Sequence, residues 1–418
     1  MYIFQLGHCP EVSYAEILAV NARLERPFRS FQRVEDVLFA EGPSLEAAQS
    51  LCHELGGVIR LCEEVSAPAA PATIAPESLA DLLQATSVDA LLTQRSERPV
   101  FGLSLAGDWS ECGGRGKRHG LLHETAVLFK DYLREKGISS RFLLPDPQEN
   151  STWLSGAQVV KNQLLSKGLE IVLNRQPRRG VQLAVTRWIQ PFEEYSQRDY
   201  GRPQRDARQG MLPPKLARML INLARTKETV TLLDPFCGNG GILTEAALMG
   251  LQPTGLDIQE KNVLSCEENW RWLQSRKDAP QRAIQVMVGD ACQLHTLCAP
   301  LFFDACATEP YLGPPQRKPL SPAKFEELAS ELVPLYIRAL GEIRSVVKPG
   351  ARVVFLSPQF QLADSPAPAP LRLLSEIKLL GYRILDPLHD FAPAEGRTTL
   401  LYSRPDQFVQ REIFVLQA

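Results

Sequence analysis

Residues 229–255, TVTLLDPFCGNGGILTEAALMGLQPTG, read as a buried strand, a glycine turn and a helix in direct succession. Thr229 to Leu233 is β-branched and apolar with no helical period, whereas Ile242 to Met249 carries apolar residues suited to a helix packed on a sheet. Asp234 is therefore expected at the carboxyl end of a strand. Gly238, Gly240 and Gly241 allow a tight turn and leave no Cβ between the backbone and a ligand. The stretch predicts an α/β fold with a ligand loop at a strand end.

The spacing of the loop disfavours a dinucleotide. G-x-G-x-x-G requires a third glycine where Leu243 stands, and its acidic residue comes later, whereas Asp234 lies four residues before Gly238. An aspartate beside the loop repels phosphate and suits a cation, and S-adenosylmethionine carries both an ammonium and a sulfonium. The pattern resembles motif I of the methyltransferases. Two more acids close apolar runs: Asp257 in PTGLDI, placed for the ribose hydroxyls, and Asp290 in IQVMVGD, placed for the adenine amino group. The resemblance implies that Asp234, Phe236, Gly238, Asn239, Gly240, Asp257, Ile258, Asp290 and Ala291 hold S-adenosyl-L-methionine.

Composition bounds the rest. With 418 residues the chain has room for two or three domains, and 44% hydrophobic with 22% charged residues is ordinary for a globular protein. No apolar run reaches the roughly 18 residues of a spanning helix. Met1 to Gly7 reads as a strand rather than a signal peptide, so a cytoplasmic protein away from membranes is expected. Nine cysteines without a CxxC pair point to reduced thiols, and no metal site is expected. A net charge of −2 confines any nucleic-acid binding to local patches, of which CGGRGKRHG, LNRQPRRG and SQRDYGRPQRDARQG are candidates.

Residues 1–66 follow a β-α-β-β-α-β order, a ferredoxin-like layout, with Ser13 and Glu16 expected as a capping box. The proline and alanine run APAAPATIAP (67–76) marks a boundary, and residues 67–173 form a second unit of alternating strands and helices. Residues 174–195 are a linker, and 196–418 the catalytic domain. The first two units resemble the ferredoxin-like and THUMP regions of tRNA-modifying enzymes, which implies RNA binding through Arg115, Lys117, Arg118, Arg178, Arg179 and Arg202. YSQRDYGRPQRDARQGMLPPKLARMLINLA resembles the segment before motif I in THUMP-containing guanosine N2-methyltransferases. There Pro213 and Pro214 start a helix with Leu216, Met219, Leu220 and Leu223 on one face. A long helix stopped by Pro349 and Gly350, the strand ARVVFLSP, and a hairpin from RTTLLYSRP and QREIFVLQA complete the expected sheet.

The fourth strand of that domain carries the chemistry. LFFDACATEPYLGPP places Asp304 on the strand and Thr308-Glu309-Pro310-Tyr311-Leu312-Gly313 at its end, where amino-methyltransferases carry [DN]-P-P-[YF]. A ring-conjugated amine is a poor nucleophile, so acceptors must hold its hydrogens, and a carboxylate stabilises the charge that builds on nitrogen. The family resemblance assigns Glu309 and the Pro310 carbonyl to the amine and Tyr311 to stacking. A second register puts Thr308 at the acid position. Cys237 and Cys306 are read as small apolar fillers rather than nucleophiles.

The fold class implied is α/β: a C-terminal Rossmann-like class I methyltransferase domain with a terminal antiparallel hairpin, preceded by ferredoxin-like and THUMP α+β domains. The resemblance implies a cytoplasmic, S-adenosylmethionine-dependent tRNA methyltransferase acting on the N2 amino group of guanosine at position 10. The alternatives are another guanosine in tRNA or rRNA, or an RNA-binding adaptor that keeps the fold without turnover. A small activator subunit would leave no signature in the chain itself.

Overall fold

The computed structural model describes residues 1–418 apart from 66–73, 87, 150, 177–178, 206–210, 277–282, 299–301, 394–397 and 405–406. The chain divides into two compact units, one of Met1–Pro10, Arg26–His53 and Val58–Phe192, the other of Glu11–Glu25, Glu54–Gly57 and Glu193–Ala418.

The first unit is built on strands β1 (Tyr2–Leu6), β2 (Arg29–Val34), β3 (Val37–Glu41), β4 (Val58–Glu64), β5 (Val100–Gly107), β6 (Arg141–Leu143), β7 (Leu169–Gln176) and β8 (Gly180–Ile189). They form one sheet in the order β2-β3-β1-β4-β8-β7-β5-β6. The first four strands have the antiparallel ferredoxin-like order, and β4 joins β8 so that the sheet runs on without a break into the next four. Of the expected boundary at 67–76, residues 66–73 lie outside the described residues. The basic part of CGGRGKRHG falls in the first turns of a helix that runs from Arg115 to Glu135.

The second unit follows from the alternation of apolar runs and amphipathic helices. Strands β9 (Thr231–Asp234), β10 (Gln252–Asp257), β11 (Gln285–Val288), β12 (Phe303–Thr308) and β13 (Val347–Phe360) are joined by β14 (Ala369–Pro370), β15 (Arg383–Asp386), β16 (Ala392–Pro393), β17 (Leu400–Tyr402) and β18 (Val409–Gln417). The order β11-β10-β9-β12-β13-β18-β15-β16 has its first five strands parallel, with β18 antiparallel between β13 and β15. β17 pairs antiparallel with β18 and forms the expected terminal hairpin. Chain order reverses between β9 and β12, the place where open α/β sheets bind ligands at the strands' carboxyl ends.

Two local expectations are corrected. Ser13 lies inside a helix that begins at Pro10, and Glu16 is not its capping partner: the buried Glu16 carboxylate accepts the Gly56 and Gly57 amides at 2.8 Å each and the Asn222 side-chain amide at 2.7 Å. The long helix Pro322–Val346 stops before Pro349, because the residue preceding a proline is biased to extended backbone, and β13 has already begun at Val347. As expected, Pro213 caps and Pro214 opens the helix Pro214–Ala224, whose Leu216, Met219, Leu220 and Leu223 are buried. Among the described residues no helix is long and apolar enough to cross a membrane.

Candidate active site

A cavity of about 630 Å³ opens at the carboxyl ends of the second unit's parallel strands. Asp234, Phe236, Gly238, Asn239, Asp257, Ile258, Asp290 and Ala291 line it together with Glu309, Pro310 and Tyr311. Residues up to 77 positions apart in sequence meet there because β9, β10 and β12 are neighbours in the sheet and each ends on the same edge. Gly240 stands behind the wall. Its φ is +83°, and a Cβ on it would lie 2.3 Å from the Cys266 sulfur, so a side chain there collides with the helix Glu260–Gln274. Gly238, at φ +49°, has open space where its Cβ would be.

The three acids differ in environment. Asp234 is 1% exposed and accepts the Thr308 hydroxyl at 2.6 Å and the Phe236 amide at 3.2 Å. Burial foremost pushes its carboxyl up to about 7; the two donors oppose the rise, and the nearby Asp257 and Glu309 add to it. Asp257 ties the glycine loop to the next helix: it accepts the Gly238 amide at 3.0 Å, the Gln259 amide at 2.9 Å and the Asn262 side-chain amide at 3.0 Å. Asp290, two residues beyond β11, accepts the Cys292 amide at 2.8 Å and caps the turn Ala291–Gln293.

At the end of β12 the two registers are physically distinct. Thr308 is fully buried, and its hydroxyl is committed to Asp234. Glu309 faces the cavity, and Arg411 on β18 donates Nε to its Oε1 at 2.6 Å. Tyr311 is 56% exposed, which leaves its ring accessible, and the buried Tyr336 hydroxyl donates to the Tyr311 carbonyl at 2.7 Å. That bond, with φ +86° at Gly313, fixes the loop that Pro310, Pro314 and Pro315 already restrict. Cys306 and Cys237 are buried, with burial pushing the Cys306 thiol well up, a setting for packing rather than attack.

The basic residues fare differently from one another. Arg115 and Lys117 are exposed and Arg118 half-buried on the first turn of the helix Arg115–Glu135 in the first unit, and Arg115 also donates to the Pro147 carbonyl. Arg179 is paired with Glu64 at 2.7 Å, while Arg178 lies outside the described residues. Arg202 is buried and lines the cavity of the second unit. Sequence reasoning missed Asn262, Leu335, Tyr336 and Arg411. Asn262 was findable, five residues past Asp257 in the first turn of a helix; the partnership of Arg411 with a residue 102 positions away left no local signal.

The chain is similar to known proteins in sequence over part of its length and in fold. Residues 202–309 match the family UPF0020, described as an RMKL-like methyltransferase domain. A tRNA (guanine(10)-N2)-dimethyltransferase of Pyrococcus abyssi is 36% identical over 146 residues, 35% of this chain and 39% of the relative. One of Methanothermobacter thermautotrophicus is 50% identical over 60 residues, 14% of this chain and 18% of the relative. The matched region thus spans less than half the length of these curated relatives. Among solved structures, TrmN from Thermus thermophilus superposes with a TM-score of 0.52 at 16% identity, covering 100% of this chain and 99% of that one. A possible methylase from Clostridium difficile 630 does so at 0.50 and 12% identity, covering 99% and 97%. The structural likenesses establish the mixed α/β architecture with a Rossmann-like unit.

Proposed function

We propose that this chain is an S-adenosylmethionine-dependent tRNA methyltransferase acting on the exocyclic N2 amino group of a guanosine, with position 10 the first site to test. One observation carries the reading: Asp234, Asp257 and Asp290 line one cavity with the Glu309-Pro310-Tyr311 loop. The names of the curated relatives support the substrate and the position.

The residues fit the cofactor. Asp234, Asp257 and Asp290 give a cationic adenosyl ligand three acceptors in succession, and Gly238 leaves the loop open where a side chain would intrude. When bound, S-adenosylmethionine supplies an electrophilic methyl group. Glu309 then accepts a hydrogen of the guanine amine, the Pro310 carbonyl accepts the other, and Tyr311 stacks on the base. As charge builds on nitrogen the Glu309 carboxylate stabilises it, an effect worth several kcal/mol in a preorganised site. Arg411 holds that carboxylate from β18, which compensates for the extra methylene that glutamate has over aspartate.

In the first unit, Arg115, Lys117 and Arg118 occupy the amino end of a helix, where the backbone amides are already electropositive. Cations there repel the helix end and together attract phosphate, so we assign tRNA backbone binding, with a THUMP-like role, to this surface. The protein works in the cytoplasm, with its tRNA substrate. Incubation with unmodified tRNA and labelled cofactor, followed by mass spectrometry of the nucleosides, is expected to give N2-methylguanosine. Cofactor and tRNA binding without any methyl transfer would favour an adaptor, in which the Arg411 pairing only neutralises Glu309.

A further inference from the structure

Of the nine tyrosines only Tyr200 and Tyr311 are exposed, at 62% and 56%. Tyr311 belongs to the cavity of the second unit, and Tyr200 stands two residues before Arg202, which also lines it. The exposed Arg205 guanidinium lies 4.9 Å over the Tyr200 ring. Asn269 fixes this segment against the glycine turn: its side chain accepts the Gln204 amide at 2.9 Å and donates to the Gln204 and Asn239 carbonyls, each at 3.1 Å. The exposed ring and its cation are therefore held beside the site rather than carried on a loose linker.

A second cation reaches the same edge from the far end of the chain. β17 closes with Tyr402 paired to Arg411, the residue that holds Glu309. The exposed Arg404 follows two residues later and donates Nη2 to the Tyr402 hydroxyl at 3.5 Å. Burial works against the Arg404 charge, but the Tyr402 hydroxyl and the nearby Asp199 and Tyr200 act for it and hold it above the ordinary arginine range. Among the described residues neither Arg205 nor Arg404 forms an ion pair, unlike Arg175, Arg179 and Arg187 of the first unit. Two uncompensated guanidinium groups and an open aromatic ring thus border a cavity whose walls include Asp234, Asp257, Asp290 and Glu309.

Guanine N2 lies on the pairing edge of the base, so Glu309 and the Pro310 carbonyl can take both its hydrogens only if the nucleotide leaves its stack. The strand around it then loses stacking partners. Aromatic rings and arginine planes replace them, and guanidinium groups hold the phosphates. We propose that Tyr200, Arg205 and Arg404 form the platform for the unstacked RNA strand beside the target guanosine, with Tyr200 stacking on a neighbouring base and the two arginines on its phosphates. A protein seated there would obstruct the way of the base into the cavity, which favours RNA. The proposal rests on the methyltransferase reading, and it is separate from the phosphate-binding surface assigned to the first unit.

Single-turnover methylation of unmodified tRNA by the full chain tests this, with calorimetric titration of S-adenosylhomocysteine as the control on folding. Tyr200→Ala is expected to slow methyl transfer at subsaturating tRNA by about tenfold or more, Tyr200→Phe to stay within about twofold of the unaltered protein, and neither to change S-adenosylhomocysteine affinity. Arg205→Met and Arg404→Met should each weaken tRNA binding and make its logarithmic salt dependence shallower by about 0.7. An unchanged rate in Tyr200→Ala overturns the platform and leaves the patch as a protein contact. Tyr200→Phe as slow as Tyr200→Ala overturns it too, because the hydroxyl and not the ring would then act. Ultraviolet crosslinking of 4-thiouridine-substituted tRNA to the unaltered protein separates this proposal from the reading it rests on. If no methyl group is transferred yet adducts map to residues 199–205, the methyltransferase reading falls and the platform stands. If methyl transfer occurs and no adduct maps to residues 199–205 or to Arg404, that reading stands and the platform falls.

Discussion

Asp234 is the residue on which the charge of the cavity turns. Its carboxyl is pushed up to about 7, mainly by burial, with Asp257 and Glu309 facing it. Below that pH the group is neutral, and a cationic ligand must displace its proton. Affinity for S-adenosylhomocysteine should therefore be full above pH 7 and fall as the pH drops through 7, by up to about tenfold per unit on the acid side. Calorimetry across that range checks it; an affinity independent of pH would show that Asp234 does not meet the ligand's positive charge. Asp234→Asn should flatten the profile. Next to it, Glu309 and Thr308 separate two registers of one motif. Glu309→Gln keeps the shape and removes the charge, so turnover should fall about a hundredfold or more with cofactor affinity little changed. Thr308→Val removes the hydroxyl that donates to Asp234 at 2.6 Å, so its effect belongs in cofactor affinity rather than turnover. A nearly normal Glu309→Gln enzyme beside a dead Thr308→Val enzyme would falsify this division.

At the scale of elements, the terminal strand reaches into the site. β18 pairs with β13 from Arg352↔Gln417 to Phe360↔Val409, a continuous ladder that gives Arg411 little freedom, and the side chain is 7% exposed. A rigid strand thus fixes the guanidinium, and the guanidinium fixes Glu309. Arg411→Met should lower kcat by about tenfold or more while leaving S-adenosylhomocysteine affinity near normal. Arg411→Lys should recover part of the loss, because charge returns without the fork. In a double-mutant cycle, Arg411→Met added to Glu309→Gln should cost little more, since the pair is already broken. Strictly additive losses in kcat would mean that the two side chains act separately.

For the whole molecule, the division into units does not follow the chain. Residues 11–25 and 54–57 belong with residues 193–418. Asn222, fully buried, donates to Glu16 at 2.7 Å and to the Glu54 carbonyl at 2.8 Å, and Arg23 donates to the Asn222 carbonyl at 3.0 Å. A fragment of residues 193–418 leaves these groups without their partners, at about 1–3 kcal/mol for each buried one. Its thermal midpoint should lie several degrees below that of the full chain, read by circular dichroism, and an equal midpoint would show that the amino-terminal segments are dispensable to the second unit. Division of labour is therefore better tested in the full chain. Replacing Arg115 and Lys117 by glutamate should weaken tRNA binding and flatten its salt dependence while leaving cofactor affinity intact.

The sequence by itself determined what depends on short range. Strand, glycine turn and helix at 229–255 were legible from periodicity and glycine placement, as were the strand-end positions of Asp234 and Asp257, because a strand and the loop that follows it obey local rules. The helix start at Pro213 and Pro214 was legible for the same reason. What only the tertiary structure decided were pairings between residues far apart: Arg411 with Glu309, Thr308 with Asp234, and Glu16 with Asn222 across 206 positions. Arg202 shows the same limit. Its neighbours in sequence mark a charged linker, and only folding, which closes the cavity around it and removes it from water, separates that one arginine from the exposed cations to which its composition likened it.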